Sequence, residues 1–368
     1  MVDVTEMKKL EVSFSVYPTI FFVLTLVLLT IGSIFVLEAS VAESFTTFGD
    51  QYFLFRQHIT GLIIGAVVFL LGFFTPAKLW IKFGPALYIC GLLALLAVFI
   101  PGIGLELNGA KRWISIGGMR LQSVEFFKFG LIAFYSNWLV KHQRLSAVLT
   151  TIAPAILVII LQPDLGSLLL VLSIAFSLYF IAGGSTKQLV LMAAMGIPLI
   201  LLIILMSPYR RDRVLTFLNP ESDPLGSSFH IRQITLALGR GGAFGQGLGN
   251  SSQKYAYIPE ASTDSIFAII AEELGYFGST LIIGTFLVYI LVGYQVISRA
   301  QPETKIRYLG LGLLSWIAAQ IILNLSAVVG LVPLTGVPLP FFSYGRSALI
   351  MVLLATGIIL KIGYTKKI

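Results

Sequence analysis

Asp264 stands where a long polar segment gives way to an apolar run, flanked by Thr263 and Ser265. A carboxylate at such a junction has two ordinary uses. It can cap the following helix, worth about 0.5–2 kcal/mol, or it can take a proton from a hydroxyl as a general base, although the helix dipole opposes its basicity there. Spacing alone leaves both open. The same segment begins with Arg210, Arg211 and Arg213, passes the turn Asp223-Pro224-Leu225-Gly226, and carries a glycine tract from Leu238 to Gly249 that includes Arg240. Glycines allow positive φ and close approach of backbone amides to an anion, but no GK[ST] follows and no strand precedes, so a nucleotide loop is unsupported. A flexible hinge is the plainer reading. Two further groups are set in apolar surroundings. Glu125 and Lys128, three apart, share one helix face and either neutralise each other or line a wet cavity. Glu272 and Glu273 point about 100° apart, so at least one is expected to face a bundle interior.

The elements that must hold these residues are membrane helices. The chain of 368 residues is 57% hydrophobic and 11% charged, with a mean hydropathy of +0.92, against roughly a quarter charged residues in soluble domains. Water is therefore not its main solvent. Apolar runs near residues 18 to 38, 57 to 74, 83 to 101, 124 to 140, 165 to 182, 188 to 206, 265 to 297, 308 to 332 and 347 to 363 match the hydrocarbon thickness. A shorter run from Ala147 to Leu161 ends at Gln162-Pro163-Asp164-Leu165-Gly166, a tight return into the next span. The expectation is an all-α integral membrane protein of about ten transmembrane helices, a single domain over 1 to 368. The connections are short except Gly102 to Gln122 and a large extracytoplasmic loop, Ser207 to Thr263, between spans 7 and 8.

Charge placement sets an orientation. With both termini in the cytoplasm, the inner segments hold Lys8, Lys9, Lys78, Lys82, Lys141, Arg144, Lys187, Arg299, Lys305 and Arg307 against few acids, as the positive-inside rule requires. The net charge of +8 is explained by this asymmetry and does not point to nucleic acid. The first run precedes Ala39-Ser40-Val41-Ala42, which resembles a signal-peptidase site, but its apolar core exceeds the roughly 7 to 15 residues of a cleavable signal. It is expected to be retained. Cys90 is the single cysteine, so no disulfide framework or cysteine-ligated metal forms within one chain.

Taken in order, the motifs resemble the SEDS proteins of bacterial cell-wall synthesis, the FtsW and RodA group. The matching segments are Asn108 to Ile114, Gln122 to Glu125 with Lys128, Gln162 to Gly166, Asp223 to Gly226, Gly241 to Gly249, Gln253-Lys254, Pro259-Glu260, Thr263-Asp264, Glu272-Glu273, and Pro333 through Ser343-Tyr344-Gly345. The order and spacing, more than any one motif, carry the likeness. Departures are Ser123-Val124 where Pro-Ser is usual, Arg346 where Gly is usual, and Ser262 and Ser265 in place of residues more often His and Phe or Thr.

The resemblance implies a glycosyltransferase that polymerises lipid II, a disaccharide-peptide on undecaprenyl diphosphate, outside the bacterial cytoplasmic membrane. It also implies a single-pass partner, a class B penicillin-binding protein with transpeptidase activity. Asp264 corresponds to the family's essential aspartate, and Lys111, Arg112, Glu125 and Lys128 to polar residues of its outer cavity. A departing diphosphate needs fixed cations, for which Arg210, Arg211, Arg213, Arg240 and Lys254 are candidates with Lys111 and Arg112; Glu260 and Ser343, from two matching segments, complete the expected substrate-binding set. A divalent cation, Mg or Mn, could sit at the diphosphate, though no carboxylate cage for one is visible in the sequence. The rival reading is a lipid II flippase, which needs polar groups spread through the bilayer, whereas here they concentrate outside. A scaffold that only holds partner helices ranks last.

Overall fold

The computed structural model describes residues 16–107, 110–116, 119–205, 208–219, 228–254, 258 and 261–365. Helices occupy each apolar run: α1 (Val16–Phe48), α2 (Phe53–Phe74), the short α3 (Ala77–Lys82) leading into α4 (Gly84–Ala97), α5 (Ser123–Trp138), α6 (Leu145–Leu161), α7 (Leu165–Ile181) and α8 (Thr186–Leu205). After the long loop come α11 (Ile266–Ala300), α12 (Thr304–Val328) and α13 (Arg346–Tyr364). Five of these, α1, α2, α11, α12 and α13, are long and apolar enough to cross a membrane by length and composition. The chain is a multi-pass membrane protein. Backbone groups in hydrocarbon must pair within their own segment, which is why these continuous apolar runs fold as helices.

The most enclosed helices are α13, α12 and α5, whose buried sets include Trp316, Tyr135, Phe127, Val352 and Ile358. By contrast α1 and α2 present Ile34, Ile63, Val67 and Leu71 outward, as helices bathed in lipid do. Between apolar surfaces in lipid there is no hydrophobic drive to associate, so close backbone approach supplies packing energy instead. The α4 and α5 pair shows it. A side chain at Gly84 would meet the Ala133 carbonyl at 2.5 Å, and one at Gly130 the Leu87 carbonyl at 2.5 Å.

The two polar loops are more ordered than their composition suggests. The first folds into an antiparallel three-stranded sheet, β1 (Gly104–Leu107), β2 (Ala110–Ile116) and β3 (Met119–Gln122), in the order β1-β2-β3. The all-helical expectation thus holds for the spans, while their connection carries this small sheet. The long loop holds two helices, α9 (Pro208–Leu218) and α10 (Phe229–Gly241). In α10 the buried residues Ile234, Ala237 and Gly241 recur at helical spacing, so one face lies on the bundle and the other is free.

The eighth run is not one straight helix. Gly275 has φ +68° and ψ −167°, which breaks α11 into a short buried segment, Ile266 to Leu274, and a long span that starts at Tyr276. Glu272 and Glu273 sit on the short segment before the break and both are buried, where the sequence leads one to expect at least one to face the interior.

Candidate active site at the head of α11

The site is built around the sequence segment just before α11. Asp264 is half-buried, one residue outside the helix, and the N-cap position falls to Ser265, which makes no side-chain cap hydrogen bond. The capping role open to Asp264 on spacing is thus not the one it fills. Its Oδ1 accepts from the Thr263 and Ser265 hydroxyls, both at 3.4 Å. Its Oδ2 turns toward Gly336, where a Cβ would stand 3.9 Å from Oδ2 and 3.8 Å from Arg112 Nη1. Glycine at 336, with φ +69°, leaves that gap open between an acid and a cation.

Arg112 reaches the gap because it lies on a strand. Successive side chains of β2 point to opposite faces, so Lys111 and Arg112 cannot both face the site. Lys111 points outward, exposed, with a loose ion pair to Glu106 at 3.8 Å. Arg112 points inward with its side chain only 13% exposed, and its Nη1 lies 3.4 Å from Asp164 Oδ2. Its buried Nε has no hydrogen-bond partner among the described residues.

Asp164 is fixed in turn by its place at the head of α7. Its Oδ1 accepts the Ser167 N–H at 3.0 Å and its Oδ2 the Ser167 hydroxyl at 2.8 Å, the N-cap geometry of a helix start. Gly166 beside it has no side chain because the Thr335 carbonyl occupies that space. The tight return after α6 and the Thr335-Gly336 segment, far apart in sequence, therefore pack on one another.

Below this lies a buried polar ladder from α12 and α5. Asn324 Nδ2 donates to the Asp264 carbonyl at 2.8 Å and to the Val337 carbonyl at 2.7 Å, tying the acid's backbone to the segment that carries Gly336. One turn down, Gln320 Nε2 donates to the Pro338 carbonyl at 3.0 Å, and its Oε1 accepts from Lys128 Nζ at 3.2 Å and Trp316 Nε1 at 3.0 Å. Lys128 Nζ also pairs with Glu125 Oε1 at 2.8 Å, and both side chains are sealed, at 0% and 2% exposure. Of the two sequence readings, the self-neutralising pair fits this burial, and the pair supports the floor of the site instead of lining an open surface. Glu125 lies in the first turn of α5, where the helix dipole favours its charge.

The glycine tract does something the sequence reading did not foresee. A side chain on Gly241 would run into the Ala271 carbonyl, and one on Gly245 into the Glu273 carbonyl. Gln246 and Gly247 N–H donate to the carbonyls of Glu272 and Glu273 at 3.0 Å each, and Tyr276 N–H donates to the Gly242 carbonyl at 2.9 Å. The tract is neither a hinge nor an anion cradle here; its amides serve the broken helix at Gly275. Beyond it, Lys254 Nζ reaches Glu38 at 2.7 Å, Glu273 at 3.4 Å and the Gly249 carbonyl at 2.7 Å. Burial works against the Lys254 charge, but the Glu38 hydrogen bond and the Glu273 and Glu38 charges outweigh it and raise its pKa. Arg240 bonds the Ser252 hydroxyl and lies 3.9 Å from Glu272 Oε1. Both cations are thus paired with glutamates, Lys254 with Glu38 and Glu273 and Arg240 with Glu272, whereas Arg112 Nη1 borders the same Gly336 gap as Asp264 Oδ2.

The remaining sequence candidates divide. Ser343 is buried, and its hydroxyl accepts the Leu339 N–H at 2.7 Å, closing a turn. The side chains of Arg210 and Arg213, and all of Glu260, lie outside the described residues. Arg346 donates to Gln57 Oε1 at 2.6 Å, tying α13 to α2. Asp164, Gln320, Asn324 and Gly336 escaped selection in the sequence. The two amides Gln320 and Asn324, four apart in an otherwise apolar span and one turn beyond Trp316, are the available signal. Among the described residues no three His, Cys, Asp or Glu side chains cluster closely enough to hold a metal ion, and Arg112 stands at both Asp164 and the Asp264 gap, a poor setting for a second cation.

Fold and site together define a polytopic membrane protein with a half-buried acid and a fixed guanidinium at its loop-bearing end. A family model described as Cell cycle protein, covering the FtsW, RodA and SpoVE proteins, matches residues 18–368, and the chain belongs to that family. It is 36% identical to Stage V sporulation protein E of Bacillus subtilis over 92% of this chain and 95% of that protein. It is 35% identical to the probable peptidoglycan glycosyltransferase FtsW of Coxiella burnetii over 97% and 98%. Among solved structures, a chain of a peptidoglycan synthase complex, reported for coordination of polymerization and crosslinking, superposes with TM-score 0.75 at 25% identity, covering 93% and 96%. The rod shape determining protein RodA of Thermus thermophilus shares the fold with TM-score 0.69 at 23% identity, covering 94% and 97%.

Proposed function

We propose that this protein polymerises lipid II into glycan strands, with the loop-bearing end on the outer face of the bacterial cytoplasmic membrane and both termini inside. Relatives named as peptidoglycan glycosyltransferases support the reaction class. The observation that carries the reading to residues is the gap at Gly336, with Asp264 Oδ2 on one side and Arg112 Nη1 on the other. A general base needs to reach a hydroxyl, and a departing anion needs a fixed cation that costs no reorganisation when the bond breaks.

In this reading Asp264 takes the proton from the acceptor sugar 4-hydroxyl as its oxygen attacks the anomeric carbon of the donor. The bond to the lipid diphosphate breaks on the opposite face, and inversion gives a β-linkage. The diphosphate leaves as a stable anion and needs no acid. Arg112, held by Asp164, meets the developing charge with its second edge. A magnesium or manganese ion arriving with the diphosphate would supply further charge neutralisation; among the described residues no cage of three carboxylate, His or Cys side chains is formed for one, and no step depends on it. The natural partner in this reading is a class B penicillin-binding protein, which cross-links the product; the complex that resembles this chain supports that pairing.

The test is polymerisation of lipid II by purified protein, alone and with the transpeptidase. Asp264→Ala and Asp264→Asn are expected to lose all measurable polymer while eluting and melting as folded protein. Unchanged polymer yield from either would remove the base assignment.

A further inference from the structure

We propose that His230 is a positioning residue for the Asp264 carboxylate, acting through the Ser265 hydroxyl; this rests on the base assignment above. His230 lies on the same face of α10 as Ile234, Ala237 and Gly241, the face packed on the bundle. Its Nε2 sits 2.8 Å from Ser265 Oγ, and Ser265 Oγ sits 3.4 Å from Asp264 Oδ1.

The direction of this chain follows from proton count. A serine hydroxyl has one proton to donate. In the proposed chain the Ser265 proton goes to Asp264, which as a carboxylate only accepts, and the serine oxygen accepts from His230. His230 therefore carries its proton on Nε2. Donation runs from the loop helix through the serine to the acid. With Thr263 also on Oδ1 at 3.4 Å, that oxygen is held, while Oδ2 borders the gap shared with Arg112. Among the described residues, the charged and titratable groups around Asp264 include Arg112 from β2, with Asp164 of the α7 cap behind it, and His230 from α10 through Ser265.

The lengths set the size of the effect. At 2.8 Å the histidine to serine bond is a full hydrogen bond, whereas 3.4 Å is long for a hydroxyl on a carboxylate. The chain orients the acid more than it alters its charge, so its loss should lower kcat by about 3- to 10-fold, far short of the loss expected from removing the base itself. The same chain gives the long loop a direct hand on the base, since α10 must be docked for His230 to reach Ser265.

The experiment measures lipid II polymerisation by the full chain for His230→Ala, Ser265→Ala, the double variant and His230→Gln, with Asp264→Asn as reference. His230→Ala and Ser265→Ala should each lower kcat by a similar factor with KM little changed. The double variant should match the singles. Both singles should move the acid limb of the pH profile upward, because a carboxylate that loses a donor is protonated more easily, by about half a pH unit or less for so long a contact. His230→Gln, whose amide can donate from the same place, should recover most of the rate. If His230→Ala does not fold, Ser265→Ala carries the same test by deleting a single oxygen. Multiplicative losses, a change in KM alone, or an unmoved acid limb beside a dead Asp264→Asn would overturn this proposal by itself. Normal polymerisation by Asp264→Asn would overturn the base assignment and this proposal with it.

Discussion

At Gly336 the backbone has φ +69°, and an added methyl would sit at ordinary contact distance from both Arg112 and Asp264. Gly336→Ala is therefore expected to fold, at a cost of about 1–2 kcal/mol for the left-handed conformation, yet to fill the gap to which the proposed function assigns the sugar and diphosphate. Polymer yield should fall at least tenfold while the melting temperature drops only modestly; a variant that polymerises normally would show that the gap is not the reaction site. Arg112→Lys keeps a charge but loses the planar fork that reaches Asp164 and the gap together. A fall of about 10- to 100-fold in kcat is expected, in the range seen when one fixed donor to a developing anion is removed. Equal rates for lysine and arginine would mean that point charge alone suffices.

Two elements owe their form to glycine and to strand geometry. The segment from Gly241 to Gly249 threads against the break in α11 because its glycines let two backbones touch. Gly245→Ala adds a Cβ where the Glu273 carbonyl lies, at a residue with φ +81°, so both space and conformation are refused. Thermal unfolding of Gly245→Ala in detergent should start at a clearly lower temperature, reflecting a loss of about 2 kcal/mol or more. Gly239→Ala, with open space around it and no positive φ, is the matched control and should melt like the parent. Indistinguishable melting of the two variants would remove the packing role assigned to the tract. On β2, alternation decides which of two adjacent cations belongs to the site, so Lys111→Ala should leave polymerisation nearly unchanged while Arg112→Ala abolishes it.

Among the described residues, the buried charges of the bundle are held in pairs and clusters. Glu125 and Lys128 are sealed together, and removing one partner leaves the other buried and alone, a loss of about 3–5 kcal/mol. Lys128→Met should lower the melting temperature more than Glu125→Gln with Lys128→Met combined; the reverse order would contradict a paired role. The Lys254 cluster gives a pH signature. Its folded pKa lies above the ordinary 10.5, so its contribution is fully present below that value and is lost as pH rises through the folded value. The difference in melting temperature between the parent and Lys254→Met should be constant near neutral pH and shrink in alkali as pH rises through the raised folded value. A difference that stays constant through the alkaline range would show that the lysine charge contributes nothing to the fold.

Hydropathy and motif order were enough to read the membrane class, the positions of the spans, the long loop and the family, because bilayer thickness and backbone pairing act on contiguous residues and leave their mark in a single run. Asp264 was visible at its junction for the same reason. What surrounds it was not. The partners of Asp264 come from β2, the α7 cap, α12, α10 and the Gly336 segment, and each contact is set by which face of an element turns inward and which backbones come close enough to touch. Those choices are made only when helices pack, so Lys254 and Arg240, plausible cations in the linear chain, are spent on glutamates, while Gln320 and Asn324, unremarked within an apolar span, hold the floor of the site.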